Sequence, residues 1–381
     1  MKLNLNYPAI ADLRRKAKQR IPHFAFEYLD SGTGSRELGV SENRQALDQV
    51  KFLPTILKGE IKFQLDQEFM GETFSYPFGI APVGMAGAMW PGAEKILARI
   101  ANEFNIPFNL STVATASPED IGPIARNRGW FQYYPARDRD IQKDMLRRVK
   151  NSGFTALVVT LDVPGESRRE RQRKAFLELP FKLNYKLILS ILSRPAWCKA
   201  ILFEGIPRMK FPESYTNFEN KGRFTHVGKS IRGYPNWDDF KRLREDWPLK
   251  LIVKGVLDSE DAKKLIDEGA DGIWVSNHSG RQFEGGPAAI NQLPKIRESV
   301  GDNYPLAFDS GLEGGLDILR AYALGADYVF LGRGFIYAVA AFGSTGAKHL
   351  VNILAEDLKS NMAQIGISHP NNAQLRLIKQ S

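Results

Sequence analysis

The chain of 381 residues is 43% hydrophobic and 25% charged, a balance that fits a globular fold and excludes a disordered one. Its single cysteine, Cys198, excludes a disulfide scaffold and a cysteine cage for a metal. Lys and Arg outnumber Asp and Glu by 52 to 43, and the net charge of +9 asks for an anionic partner: nucleic acid, an acidic lipid surface, or an anionic cofactor and substrate.

In chain order, the N-terminal residues MKLNLNYPAIADLRRK carry no apolar signal core and begin a helical arm. Eight short apolar runs follow, at 76–83, 107–112, 130–135, 156–162, 249–256, 272–279, 306–311 and 328–334. They are rich in β-branched and aromatic residues and do not alternate with polar ones, as parallel strands covered on both faces require. Helical stretches separate them. The stretch 94–104 follows Pro-Gly, and Ser117-Pro118-Glu119-Asp120 supplies an N-cap, a first-turn proline and first-turn acids. The stretches 259–268 and 315–324 space their apolar residues by three and four. Eight βα units predict an α/β fold, a (β/α)8 TIM barrel over about 76–360 with a helical N-terminal arm, within a single domain 1–381. An open doubly wound sheet is the alternative, but no GxGxxG opens a helix after a first strand.

The rhythm breaks between the fourth and fifth runs, where 163–248 forms a long insertion. It holds the densest charge, RRERQRK at 168–174, with five basic residues and one acid. Beyond it, 182–203 has no Asp or Glu, while Lys186, Arg194 and Lys199 interrupt Leu, Ile and Trp. Too interrupted to span a bilayer, 183–203 has the composition of a segment lying on an anionic membrane surface. The other reading is a helix packed on the barrel or in an oligomer contact. The expected location is cytoplasmic, with the inner face of the cytoplasmic membrane as the candidate contact. The C-terminal LRLIKQS is no peroxisomal address.

A barrel carries its active site at the carboxyl ends of its strands. Those ends read Gly84, Ser111, Gln132 and Tyr134, Thr160 and Asp162, Lys254, Ser276 and His278, Asp309, and Arg333. Groups that hydrogen-bond or titrate at almost every end predict a polar pocket large enough for a cofactor and a substrate. The last two strands run into DSGLEGG and GRG, where glycines, helix N-termini and Arg333 suit a phosphate; short βα loops also use glycine for structure alone. His278, in VSNHSGRQ, is the candidate base, with Asp162 to orient it. Arg281 and Arg169 suit a carboxylate, although RRERQRK also reads as a solvated charge run. No HExxH or Cys/His cluster suggests a metal.

At these residues the chain resembles the FMN-dependent L-2-hydroxy-acid oxidases and dehydrogenases. The resemblance runs from about residue 21 to 366. It is carried by KGV, VSNHSGRQ, DSG and LGRG within 254–334, and by FEYLDSG, GIAPVGMAG, LSTVAT and WFQYYPARDR upstream. It implies FMN as cofactor and His278 as the base that takes a proton from the substrate, with Asp162 as its partner. It also implies Arg281 and Arg169 as the carboxylate clamp, and Tyr28 and Tyr134 as partners of the substrate hydroxyl. Lys254 would stand beside flavin N1 and O2. Ser111, Gln132, Thr160 and Ser276 would contact the flavin ring with the backbone of Pro82, Val83 and Gly84. Asp309, Gly311, Gly332 and Arg333 would hold the ribityl and phosphate end.

Several positions depart from the family. Glu313 stands where many members place an arginine near the phosphate, and its carboxylate would repel the dianion unless it turns away or pairs with Arg333. Ser279 replaces a glycine, Val83 a threonine, and 171–175 lacks the usual acidic and asparagine positions. Glu166 puts an acid near the pocket mouth. Gly84 stands where several dehydrogenases have glycine and glycolate oxidases alanine, and Val113 replaces the bulky aromatic of glycolate oxidases, which implies room for a larger substrate side chain. With the basic, apolar insertion, they favour a membrane-associated dehydrogenase that passes electrons to quinone or another acceptor. A soluble oxidase that makes hydrogen peroxide is the alternative, and an inactive lipid- or protein-binding barrel is a third. By analogy the chain is expected to form a homo-oligomer, a tetramer. Nucleic acid is not expected as a partner, because the positive charge gathers at the pocket and the insertion.

Overall fold

The structure is a computed structural model that describes residues 3–165, 167–175, 185–215 and 231–378. Ten strands are present among the described residues: β1 Gln67–Phe69, β2 Glu72–Phe74, β3 Phe78–Ile80, β4 Phe108–Ser111, β5 Gly129–Tyr133, β6 Ala156–Thr160, β7 Lys250–Val256, β8 Gly272–Val275, β9 Leu306–Phe308 and β10 Tyr328–Leu331. β3 to β10 pair in parallel, each with the next, and β10 pairs back onto β3, so the sheet closes into a barrel. Each of the eight apolar runs supplies one barrel strand, and closure excludes the open sheet. The strands are buried on both faces because helices cover the outside and side chains fill the inside.

The inside is aromatic. Trp130, Trp274, Tyr328 and Phe330 pack there, with Trp274 and Phe330 stacked at 4.0 Å. The antiparallel hairpin β1–β2 closes the amino-terminal end: Phe69 stacks on Tyr328 at 5.2 Å, and Glu72 pairs with Arg128 and Lys250 near the starts of β5 and β7. The closed floor leaves the carboxyl-terminal face as the open end of the barrel. The sequence reading did not find this hairpin, whose strands are three residues long and carry only one clear apolar alternation.

The N-terminal arm buries Ile10, Leu13 and Ala17, at spacings of three and four, under the long C-terminal helix Arg333–Ile365. That helix bends at Phe342 and Gly343, where Gly343 takes φ +61°. The arm's third helix, His23–Asp30, brings Tyr28 to the barrel mouth. Asp30 fixes its end, accepting from Arg14, Arg171 and the Tyr337 hydroxyl. These three donors hold its carboxyl far below the usual range, against the burial that would raise it.

The described part of the insertion includes the helices Tyr185–Leu192, Pro195–Glu204 and Lys210–Glu213 before the barrel helix Trp237–Asp246. Part of it packs on the barrel, and part faces outward. Trp197 packs inward, edge-on to Phe24, and donates to the Ala88 carbonyl at 3.2 Å. Tyr185, Leu189, Leu192, Leu202, Phe203 and Ile206 face outward, each more than half exposed. No helix among the described residues is long and apolar enough to cross a membrane. Glu166 lies outside the described residues, as do 183 and 184.

Candidate active site

The eight strand ends open on one cavity of ≈ 990 Å3, the open solvent at its mouth included. Every residue singled out from the sequence as catalytic or cofactor-binding lines it except Asp162 and Ser276, which bond to residues that do.

His278 follows β8 in a left-handed turn. Its Nδ1 lies 3.2 Å from both carboxylate oxygens of Asp162, just beyond β6. A carboxylate can only accept, so Nδ1 carries the proton and Nε2 keeps a lone pair. Burial pushes the His278 pKa down, and Lys254 and Arg169 reinforce this against the pull of Asp162. Burial alone would raise Asp162, but His278 and Lys254 hold it below its usual value. The pair is therefore a neutral imidazole beside an ionised carboxylate at neutral pH.

The turn is strained. His278 and Ser279 both take φ +56°, where glycine is at ease and other residues are not. Side chains hold it: His278 N–H donates to Ser276 Oγ at 3.0 Å, and Ser279 N–H donates to Ser310 Oγ at 3.1 Å. Ser310 itself sits at φ +101° and also accepts from Asn277 N–H. Asn277 exchanges two amide hydrogen bonds with Asn43 of the arm, each 2.8 Å. Ser310 and Asn43 were not found from the sequence. Their function depends on a chain reversal and a long-range pairing that no local pattern encodes.

Arg281 and Arg169 converge on the same cavity, and neither has an acidic partner among the described residues. Arg281 donates from Nη1 to the carbonyls of Leu29 and Ser31 and from Nη2 to that of Tyr28. Two of its five N–H donors, on Nε and Nη2, remain for a ligand. Burial and the charge of Arg169 push the Arg281 pKa down to about 9, which marks a cation pair in want of an anion. Arg169 is held at Nε by Ser167 and at Nη2 by Gln282. The next turn is clasped by Arg171, whose guanidinium pairs with Glu27, Asp30 and Glu37 at 2.7–3.0 Å. The run RRERQRK is thus more than a solvated face.

Tyr28 and Tyr134 complete the wall, and neither hydroxyl bonds to a described residue. Burial raises the Tyr134 pKa, with Asp162 adding to it, so its hydroxyl remains a donor. Gly84 and Val113 leave less room than expected. A Cβ on Gly84 would come 2.7 Å from a Val113 methyl, so the valine already fills the space the glycine vacates.

The residues suit FMN. Gln132 Oε1 accepts from Ser111 Oγ at 2.8 Å, which leaves Gln132 Nε2 and Thr160 Oγ1 buried without a partner among the described residues. Two unmatched polar groups in one cavity wall are costly unless a ligand meets them, and the ring nitrogens and carbonyls of a flavin do. Lys254 pairs with Asp309 at 2.8 Å and donates to Ser276 at 2.7 Å, and Ser276 donates to Asp309 at 2.5 Å. The two charges expected at opposite ends of the cofactor therefore face one another. Arg333, Gly311 and Gly332 line the far end, where Arg333 has no acidic partner among the described residues. Glu313 does not line the cavity. It is exposed and pairs with neither Arg333 nor any other described base, so of the alternatives posed for it the carboxylate turns away.

The comparisons with known proteins agree with this geometry. The family model described as FMN-dependent dehydrogenase matches residues 17–380. The chain is 35% identical over 359 residues to (S)-mandelate dehydrogenase of Pseudomonas putida, covering 94% of this chain and 90% of that one. It is 34% identical over 360 residues to L-lactate dehydrogenase of Acinetobacter baylyi, covering 93% of each. Among solved structures, monotopic membrane protein (S)-mandelate dehydrogenase superposes with a TM-score of 0.92 at 33% identity, over 98% of this chain and 100% of that one. A mandelate oxidase superposes with a TM-score of 0.81 at 29% identity, over 98% and 99%. The chain belongs to the FMN-dependent dehydrogenase family, whose members oxidise the CH–OH group of 2-hydroxy acids.

Proposed function

We propose that the chain oxidises a lactate-like or larger L-2-hydroxy acid to the 2-oxo acid and passes the electrons to a quinone at a membrane surface. One observation carries the chemistry: a neutral His278 held by Asp162 shares its cavity with two guanidiniums that have no acidic partner among the described residues. In this reading Arg281 and Arg169 bind the substrate carboxylate, Arg281 through its free Nε and Nη2 donors. Tyr134 and Tyr28 donate to the substrate oxygens and orient the α-carbon. His278 accepts one proton at Nε2, and Asp162 stabilises the imidazolium that results. Bound FMN supplies the two-electron acceptor. Gln132 and Thr160 would hold its ring, Lys254 would place positive charge beside it, and Arg333 with the glycine turns would hold its phosphate.

The membrane part rests on the outward apolar row of the insertion, with Arg194 and Lys199 among it, and on likeness to a mandelate dehydrogenase described as monotopic. Release of a Leu189→Asp/Leu202→Asp variant from anionic vesicles that retain the wild type tests it. Equal retention of both would refute it. A second reading, transfer to oxygen, is favoured by the likeness to mandelate oxidase. Reoxidation of the substrate-reduced enzyme decides between them: a faster rate with quinone than with air-saturated buffer supports the dehydrogenase.

A further inference from the structure

A second cavity lies behind the wall of the first. It opens between the ends of β5 and β6, the turn 231–236 and the helix Trp237–Asp246, and holds ≈ 910 Å3 of space, its mouth included. Tyr134 and Thr160 belong to both linings, so these side chains are the partition between the two cavities. The rest of the wall is largely apolar, with Phe240, Leu243 and Leu265 buried behind it. The turn that roofs it is pinned to the end of β5: Gly233 N–H donates to the Pro135 carbonyl and Arg137 N–H to that of Ile231, both at 2.8 Å. At the rim Arg232 lies 6.0 Å over the Tyr234 ring and has no acidic partner among the described residues. The base, the carboxylate clamp and the phosphate end make no use of this space.

We propose that this second cavity binds the electron acceptor, a planar quinone, next to the cofactor and apart from the hydroxy acid. The inference rests on the functional reading above and adds a place for the oxidant. Apart from Arg232 at the rim, the walls offer a small carboxylate no cation in exchange for its lost water, and Asp239 adds a like charge. They suit a substituted aromatic ring, which stacks and buries well against Trp237, Phe240 and the leucines. Arg232 offers N–H groups to a ring carbonyl, and such a bond strengthens as that oxygen gains charge on reduction. The reaction balances: the hydroxy acid loses two electrons and two protons, one of them to His278, and the quinone gains two of each to become the quinol. Tyr134 and Thr160 would keep the two ligands apart, and Thr160, which would hold the flavin ring, belongs to the acceptor's wall as well.

Duroquinone and the intact holoenzyme test this directly. In the absence of hydroxy acid, duroquinone should quench tryptophan fluorescence saturably, and Trp237→Phe should abolish that component. Leu265→Phe narrows the cavity and Arg232→Gln removes its rim cation without touching the core. Each should weaken the quenching and raise the KM for duroquinone about 10-fold, roughly 1.4 kcal/mol, while the anaerobic rate of flavin bleaching by hydroxy acid stays at the wild-type value. A rise in the KM for hydroxy acid with the quinone's unchanged would overturn the proposal and give the cavity to the substrate's side chain. Absence of saturable quenching would overturn it too. The quenching needs no hydroxy acid, so it judges the cavity even if no acid bleaches the flavin and the functional reading fails.

Discussion

Replacing Asp162 by Asn keeps the shape of the base pair and removes its charge. When His278 takes a proton, the imidazolium forms 3.2 Å from the Asp162 carboxylate. Coulomb's law puts that attraction at about 5 kcal/mol for an effective dielectric of 20 and about 1.3 kcal/mol in bulk water. The side chains are 23% and 11% exposed, so an intermediate value of about 3 kcal/mol is apt, which slows the proton-transfer step about 100-fold. Stopped-flow bleaching of the flavin under anaerobic conditions reads that step without the acceptor. The pH profile gives an independent sign. Asp162 raises the His278 pKa, so removing its charge moves the acid limb to lower pH even as the plateau rate falls. A variant with full flavin content, a rate within threefold of wild type and an unmoved acid limb would refute the assigned pairing.

Three further outcomes follow from the same geometry. In the wild type, kcat/KM should fall on the acid side with a pKa below the ordinary histidine value of 6.5, because burial favours the neutral base; a limb above 6.5 would contradict it. Arg171→Met leaves Glu27, Asp30 and Glu37 facing one another and should cost about 2 kcal/mol of stability, discounted for partial exposure. It should also raise the KM for the acid by loosening the turn that carries Arg169, and denaturant melts with initial-rate kinetics check both effects. Ser279→Gly relieves a φ of +56° and should raise stability by about 1 kcal/mol, read as a higher denaturation midpoint; a lower midpoint would show that the serine side chain holds the turn.

The barrel was legible because its signal is local. Each parallel strand is buried on both faces and so reads as a continuous apolar run, and almost every strand end carries a polar residue. The hairpin β1–β2 was not legible, since Phe69 and Phe74 are placed by contacts with Trp130 and Tyr328 far along the chain. The site separates in the same way. His278, Lys254 and Gln132 stand at strand ends and could be found by position. Ser310, Asn43 and Gln282 act through bonds across the mouth, and Ser310 does so from a backbone conformation that its residue type does not announce. The pairing of Lys254 with Asp309 likewise needed the register of β7, β8 and β9, which brings both ends to Ser276.

In the proposed reaction a 2-hydroxy acid delivers its electrons to bound FMN with His278 as the base. The most direct measurement is the anaerobic absorbance spectrum of the purified holoenzyme before and after addition of L- and D-2-hydroxy acids, beside a His278→Gln variant. The expected result is a flavin spectrum in both proteins, rapid bleaching of the wild type by an L-acid and not by its D-enantiomer, and a variant that stays yellow. No bleaching by any acid, or a variant that bleaches at the wild-type rate, would contradict it.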